Sequence, residues 1–325
     1  MTVLLVCLLL FVAAAGTVLA LIASAPPPMP EPRDVFGMAA PKQRVPADLP
    51  DVQRYPARDG EALAVRVYPS SAAATLIFLH GSSYHGAGYH DLAATLAGQG
   101  IAQVVLPNLR GHYLSGPRRG DVDDFGQLED DIADLIGWLR THGNTGRIFL
   151  GGHSSGGGLA IRFAGGKHRA LVAGFLLLSP VLPIAPSMRG GDAGGWACVH
   201  KRRLLGLMLA NLLGQHGLDA LPIIAFNKPV ELRDGTETLS YSHRLNTAYH
   251  PRLRYQLDLA AMGAKAAIFV GDGDQAVDGE KLRTLVAKYL PRGRVTILPG
   301  IDHFGIFTDE AALAAVAEAL SEMAG

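Results

Sequence analysis

Phe149-Leu-Gly-Gly-His-Ser-Ser-Gly-Gly-Gly158 is the stretch on which the fold turns. It contains Gly152-His153-Ser154-Ser155-Gly156, a G-x-S-x-G pattern in which a serine sits on a sharp corner between a strand and a helix. The apolar run Ile148-Phe149-Leu150 reads as a buried strand entering the corner. Leu159-Ala160-Ile161 and Phe163-Ala164 carry a helical apolar period leaving it. A serine in so strained a turn needs close neighbours without side chains, and Gly152 and Gly156 meet that need. The helix N-terminus behind Ser154 offers free N–H groups and a positive dipole end to a developing oxyanion.

Outward from the corner, strands alternate with helices. Val52–Tyr55 and Ala62–Tyr68 flank Arg58-Asp59-Gly60 as a hairpin. Thr75–Leu79, Ile101–Leu106, Leu171–Leu178, Ala266–Val270 and Arg294–Leu298 read as further strands, mostly short apolar runs suited to a parallel sheet. Tyr89–Gly98, Phe125–Leu139 and Asp309–Met323 are periodic as helices, the last with Thr308 as its expected N-cap. The pattern predicts an α/β fold: a mostly parallel central sheet with helices on both faces, over residues 51–325. The alternation breaks at about 181–256. That insertion holds a helix near Leu204–Leu213, the basic cluster Lys201-Arg202-Arg203 and an expected hairpin within Phe226–Leu239 around Asp234-Gly235. Its apolar content, and its place beyond the end of a strand, mark it as a lid over a site at the strand ends.

Residues 1–25 precede this domain. From Thr2 to Ala25 there is no charged side chain, and the apolar run is long enough to cross a bilayer. It reads as a transmembrane anchor, which makes the protein membrane-associated. The competing reading is a signal segment cut after Ala23-Ser24-Ala25, giving a secreted or periplasmic protein. Arg33, Lys42 and Arg44 after the run lean toward a cytoplasmic domain by the positive-inside rule. Residues 26–50 are proline-rich and read as a semi-extended linker.

The chain has 325 residues, 49% of them hydrophobic, and balances 29 Lys and Arg against 29 Asp and Glu. That balance points to no nucleic-acid partner. Its two cysteines, Cys7 and Cys198, make no structural disulfide, since Cys7 lies in the apolar run. Its 12 histidines show no metal-ligand spacing, and neither a metal nor another cofactor is implied.

A serine hydroxyl becomes a nucleophile only beside a histidine base that a carboxylate orients. In a fold with this strand–corner–helix elbow the three follow in the chain order serine, acid, histidine. Two later strands end in suitable groups: Val270-Gly-Asp-Gly-Asp-Gln-Ala-Val-Asp278 and Leu298-Pro-Gly-Ile-Asp-His-Phe-Gly305. From spacing alone, Asp272, Asp274 and Asp278 all remain candidates for the acid.

Together His80-Gly81, Arg110-Gly111-His112, the elbow, Gly271-x-x-Asp274 and Asp302-His303 make the chain resemble an α/β-hydrolase of the monoglyceride-lipase, lysophospholipase and serine-aminopeptidase-like branch, over roughly residues 51–320. The resemblance implies Ser154 as nucleophile, His303 as base and Asp274 as orienting acid. It implies backbone N–H groups of Ser82 and Ser155 as the oxyanion hole. It further implies a serine esterase acting on a lipid-like substrate, a monoacylglycerol or lysophospholipid, with a peptidase or amidase, or a non-catalytic binding protein of the same fold, as alternatives. Two departures stand out. Asn108 replaces the acid of the family's x-Arg-Gly-His loop and Tyr113 replaces its second glycine. Ser82-Ser83 in place of a glycine pair argues against the hormone-sensitive-lipase type. Of the remaining histidines, His153 is expected to pack under the elbow and His80 to bond the loop backbone.

Overall fold

In a computed structural model, residues 2–38, 48–190 and 195–325 are described. The middle of the proline-rich stretch, with Lys42 and Arg44, and part of the Gly-rich start of the insertion lie outside the described residues.

Eight strands form the main sheet: β1 (Gln53–Pro56), β2 (Ala62–Tyr68), β3 (Thr75–Leu79), β4 (Gln103–Pro107), β5 (Ile148–His153), β6 (Gly174–Leu178), β10 (Ala266–Gly271) and β11 (Arg294–Leu298). Their spatial order is β1-β2-β4-β3-β5-β6-β10-β11. From β4 to β11 neighbouring strands pair in parallel, and β2 alone runs against the rest. Every residue of β3, β5, β6 and β10 is buried. Since successive side chains point to opposite faces, both faces must be covered. One face carries α2 (His90–Gly98) and α9 (Glu310–Ala324), which touch each other. The other carries α3 (Gln127–Thr141), α4 (Ser155–Ala164), α7 (Tyr255–Ala261) and α8 (Gly279–Tyr289).

The strands expected at Ala62–Tyr68, Thr75–Leu79 and Arg294–Leu298 have those bounds, and the other runs shift by one to three residues at their ends; two further expectations are corrected. Asp309, not Thr308, caps α9: its carboxylate accepts from the N–H groups of Ala311 and Ala312. The hairpin expected within Phe226–Leu239 has its turn at Asp234-Gly235, held by the Glu237 carboxylate on both N–H groups, but its strands lie outside that range. They are β8 (Pro222–Phe226) and β9 (Ser240–Ser242), which with β7 (Ala197–Val199) make a separate antiparallel sheet. The same insertion holds α5 (Lys201–Leu212) and α6 (His243–Tyr249).

At the N-terminus α1 (Thr2–Ala23) is a single helix of 22 residues, long and apolar enough to cross a membrane by length and composition. A core helix or a signal sequence passes the same test. Its C-terminal turns pack against α5 and Ile223 of β8, while Thr2–Ala14 are exposed.

Candidate active site

Ser154 lies at the corner between β5 and α4 with φ 55° and ψ −121°, a conformation that costs a residue with a side chain on the order of 1–3 kcal/mol. The corner is over-determined from outside: the Ser154 N–H donates to Leu178 O (3.0 Å), and Ser154 O accepts from Val181 N (2.9 Å) and Gly158 N (3.1 Å). It also requires bare neighbours. A Cβ on Gly156 would lie 2.3 Å from Leu79 O and 2.5 Å from His80 O, and one on Gly152 would lie 2.4 Å from the Gly156 carbonyl. These are backbone atoms that cannot move aside. Gly156→Ala is therefore expected to destabilise the fold by about 3 kcal/mol or more, read as a lower denaturation midpoint. A midpoint within error of wild type would show that the corner has room.

Asp274 and His303, the expected acid and base, meet on the same sheet edge. His303 Nδ1 lies 3.0 and 2.9 Å from the two oxygens of Asp274, and both residues are buried. Gly271 lets the two loops close, because a Cβ there would lie 1.9 Å from Ile301 O. Asp274 Oδ1 also accepts from the N–H groups of Ala276 and Val277, both at 2.8 Å. Burial by itself would raise this carboxyl. The positive charge of a protonated His303, its hydrogen bond and the Val277 N–H outweigh burial and hold it at about 2. The other two aspartates face elsewhere: Asp272 accepts from Gly300 N, and Asp278 caps α8 through Lys281 N. Asp302 folds back onto the N–H groups of Phe304 and Gly305.

The Ser154 hydroxyl and His303 Nε2 have no hydrogen-bond partner among the described residues, and neither is a sealed buried atom, so each faces accessible space. His153 links their two loops. Its Nε2 donates to His303 O (2.9 Å), its ring lies 4.6 Å from the His303 ring, and its Nδ1 accepts from the Tyr89 hydroxyl (2.9 Å). Tyr89 in turn accepts from Gly81 N (2.8 Å). Burial holds the His153 ring far below its ordinary pKa, so it stays neutral and keeps this direction. Sequence reading gave His153 a packing role; its use as a bridge between three loops depends on partners 64 and 150 residues away.

Ser82 and Ser155 are also neighbours in space: their hydroxyls lie 2.6 Å apart, and the Ser155 hydroxyl lies 3.4 Å from His250 Nε2. The backbones at the end of β3 and the start of α4 are thereby tied side by side. His80 Nε2 accepts from Leu109 N, 3.0 Å away. From the insertion, Tyr241 accepts from Ser83 N (2.7 Å) and donates to His112 Nε2 (2.7 Å). Asn108, where the family resemblance has an acid, serves the backbone instead, accepting from Gly86 N and donating to Tyr113 O.

Phe36 was invisible as a site residue in the sequence. It leaves the proline-rich stretch to lie with its ring centroid 5.0 Å from that of His303, 5.6 Å from Trp196 and 5.6 Å from Phe304. It is buried, as is Met38, whose N–H donates to Asp34 Oδ1. His303 therefore sits under an apolar wall shared by the N-terminal stretch and the insertion. No cluster of three or more His, Cys, Asp or Glu among the described residues could hold a metal ion.

Residues 70–309 match the family model described as serine aminopeptidase, S33. Human monoglyceride lipase is 29% identical over 174 residues, 52% of this chain and 55% of that protein. The phospholipase YtpA of Bacillus subtilis is 32% identical over 110 residues, 34% of this chain and 41% of that one. The chain thus spans about half the length of the curated relatives it matches. Among solved structures, a soluble variant of the Saccharomyces cerevisiae monoglyceride lipase in complex with a substrate analog superposes with a TM-score of 0.63 at 16% identity, covering 86% of this chain and 96% of that one. At that identity the likeness is one of fold.

Proposed function

The chain belongs to the serine aminopeptidase S33 family, in the monoglyceride-lipase-like branch of the α/β-hydrolases, and on that premise we propose that it is a serine hydrolase cleaving the ester of a lipid-like acyl substrate, a monoacylglycerol or a lysophospholipid. The observation that carries the reading is the contact of Asp274 with His303 on the edge where the strained Ser154 stands.

Ser154 Oγ attacks the acyl carbonyl as His303 Nε2 takes its proton. Asp274 keeps the other ring proton on Nδ1 and stabilises the imidazolium that forms. The N–H groups of Ser82 and Ser155 receive the oxyanion, a contribution worth about 10²–10³ in rate per donor. The protonated His303 then releases the alcohol, leaving an acyl-enzyme, and water activated by the same ring frees the acid. The insertion acts as a lid, and its Trp196, with Phe36 and Phe304, supplies an apolar surface for an acyl chain. Membrane association through α1 suits a substrate that lives in bilayers.

Hydrolysis of long-chain monoacylglycerols and lysophospholipids, set against aminoacyl amides, tests the substrate class. The expected result is kcat/KM at least about tenfold higher for the esters. A preference for the amides would reassign the chain to the peptidases that the family description names.

A further inference from the structure

We propose that α5 of the insertion is itself buried in the bilayer, drawn in alongside α1, so that the two helices enter the hydrocarbon as one unit; this rests on the reading of α1 as a membrane anchor. Three observations converge. The first is a clamp. Arg203, in the first turn of α5, donates from Nε to Ile22 O (2.9 Å) and from its terminal nitrogen to Ser24 O, and His200 Nε2 donates to Ser24 O (2.8 Å). These carbonyls end α1 and have no partner within the helix, so the clamp satisfies them and sets a cation against the negative end of the dipole.

The second is close packing. Gly206 lies where a Cβ would come 2.7 Å from the Ile22 side chain and 3.0 Å from Leu21 Cβ. Ile22, Leu207, Ala210 and Ile223 form a separate small core there. From the clamp at the end of α1, α5 thus runs back along it.

The third is length. Within α1, Thr2–Ala14 are all exposed and clear of the domain, a reach of about 20 Å at 1.5 Å per residue. A hydrocarbon core is about 30 Å thick. If α1 spans it, the docked turns, and the part of α5 beside them, must enter by roughly 10 Å. That part of α5 has the right surface: Leu205, Met208, Leu209, Leu212 and Leu213 are 36–81% exposed, whereas Lys201 and Arg202 stay exposed at the clamp end, at headgroup level.

The test uses the full chain in phosphatidylcholine vesicles, with Cys7→Ser and Cys198→Ser removing the native thiols and a polarity-sensitive fluorophore placed by Phe11→Cys, Leu212→Cys or Glu280→Cys. Lipids carrying a nitroxide on the acyl chain are expected to quench the labels at 11 and 212 at least threefold more than the label at 280. Quenching at 11 without quenching at 212 overturns the proposal and leaves the anchor standing. No quenching at 11 overturns both. A label at 212 that is blue-shifted but unquenched would assign the face to a second protein copy, and also overturns it. As an independent measure, Leu209→Asp with Leu212→Asp is expected to lower hydrolysis of vesicle-borne substrate more than about tenfold while sparing a soluble short-chain ester, and equal loss on both substrates counts against insertion.

Discussion

Ser154→Ala is expected to abolish covalent labelling by a fluorophosphonate and to cut ester turnover by at least about 10⁴-fold, because in the proposed acyl-enzyme route the Ser154 hydroxyl supplies the attacking oxygen. The same position offers a check on structure. With φ 55° and ψ −121°, any residue bearing a Cβ is strained, so alanine inherits the cost and glycine does not. Ser154→Gly should therefore be inactive yet more stable than Ser154→Ala, by about 1 kcal/mol. An inactive, destabilised pair would mean the hydroxyl is structural. Labelling that persists in Ser154→Ala would move the chemistry to Ser82 or Ser155, whose hydroxyls bond each other at 2.6 Å close by. Nothing in the geometry favours them, since each hydroxyl already has a partner, whereas that of Ser154 has none among the described residues and stands in accessible space.

Local signals made most of this architecture legible. The central strands are buried on both faces, so they surface in the sequence as uninterrupted apolar runs such as Thr75–Leu79 and Ala266–Gly271. The elbow announces itself because its glycines have no substitute: Gly156 faces the carbonyls of Leu79 and His80 too closely for any side chain. Gly271 does the same for the loop that carries Asp274. Where two cap-competent residues stand together, as Thr308 and Asp309 do, composition cannot choose. The choice is made by the longer reach of the Asp309 carboxylate to two N–H groups. An Asp-Gly turn locates a reversal but not the strands it joins, and around Asp234-Gly235 the strand pairing begins only at Ala225 and Ser240, past Pro229. Phe36 and His153 were opaque for a different reason. Phe36 carries no pattern along the chain, His153 shows only its place under the elbow, and their partners at residue 303 are set by tertiary packing alone. Arg203 hides in the same way: within Lys201-Arg202-Arg203 it looks like one more solvated charge, yet it alone turns inward to the end of α1.

Asp274→Asn should lower kcat by about 10⁴-fold while the fold persists near neutral pH. The amide oxygen can keep the two bonds from Ala276 and Val277 that Oδ1 now accepts. Its NH₂ group then faces His303 Nδ1, which must become an acceptor. The ring proton moves to Nε2, the atom left free to serve Ser154, and a protonated nitrogen cannot act as a base. The pH dependence of stability tests the same contact separately from activity. Asp274 is held at about 2, below the ordinary 3.8, so it binds its proton less readily folded than unfolded. Its stabilisation is therefore complete above about pH 4 and is lost as the pH falls through 4 toward 2. The shift of nearly two pKa units corresponds to about 2–3 kcal/mol. Other carboxylates titrate over the same range, so the informative quantity is the difference between wild type and Asp274→Asn in denaturant midpoint. That difference is expected to shrink between pH 5 and pH 2.5 as the wild type loses what the variant never had. A gap that stays constant across that range would mean that the charge on Asp274 contributes nothing to the folded state, and the orienting role assigned to it would fall with that result.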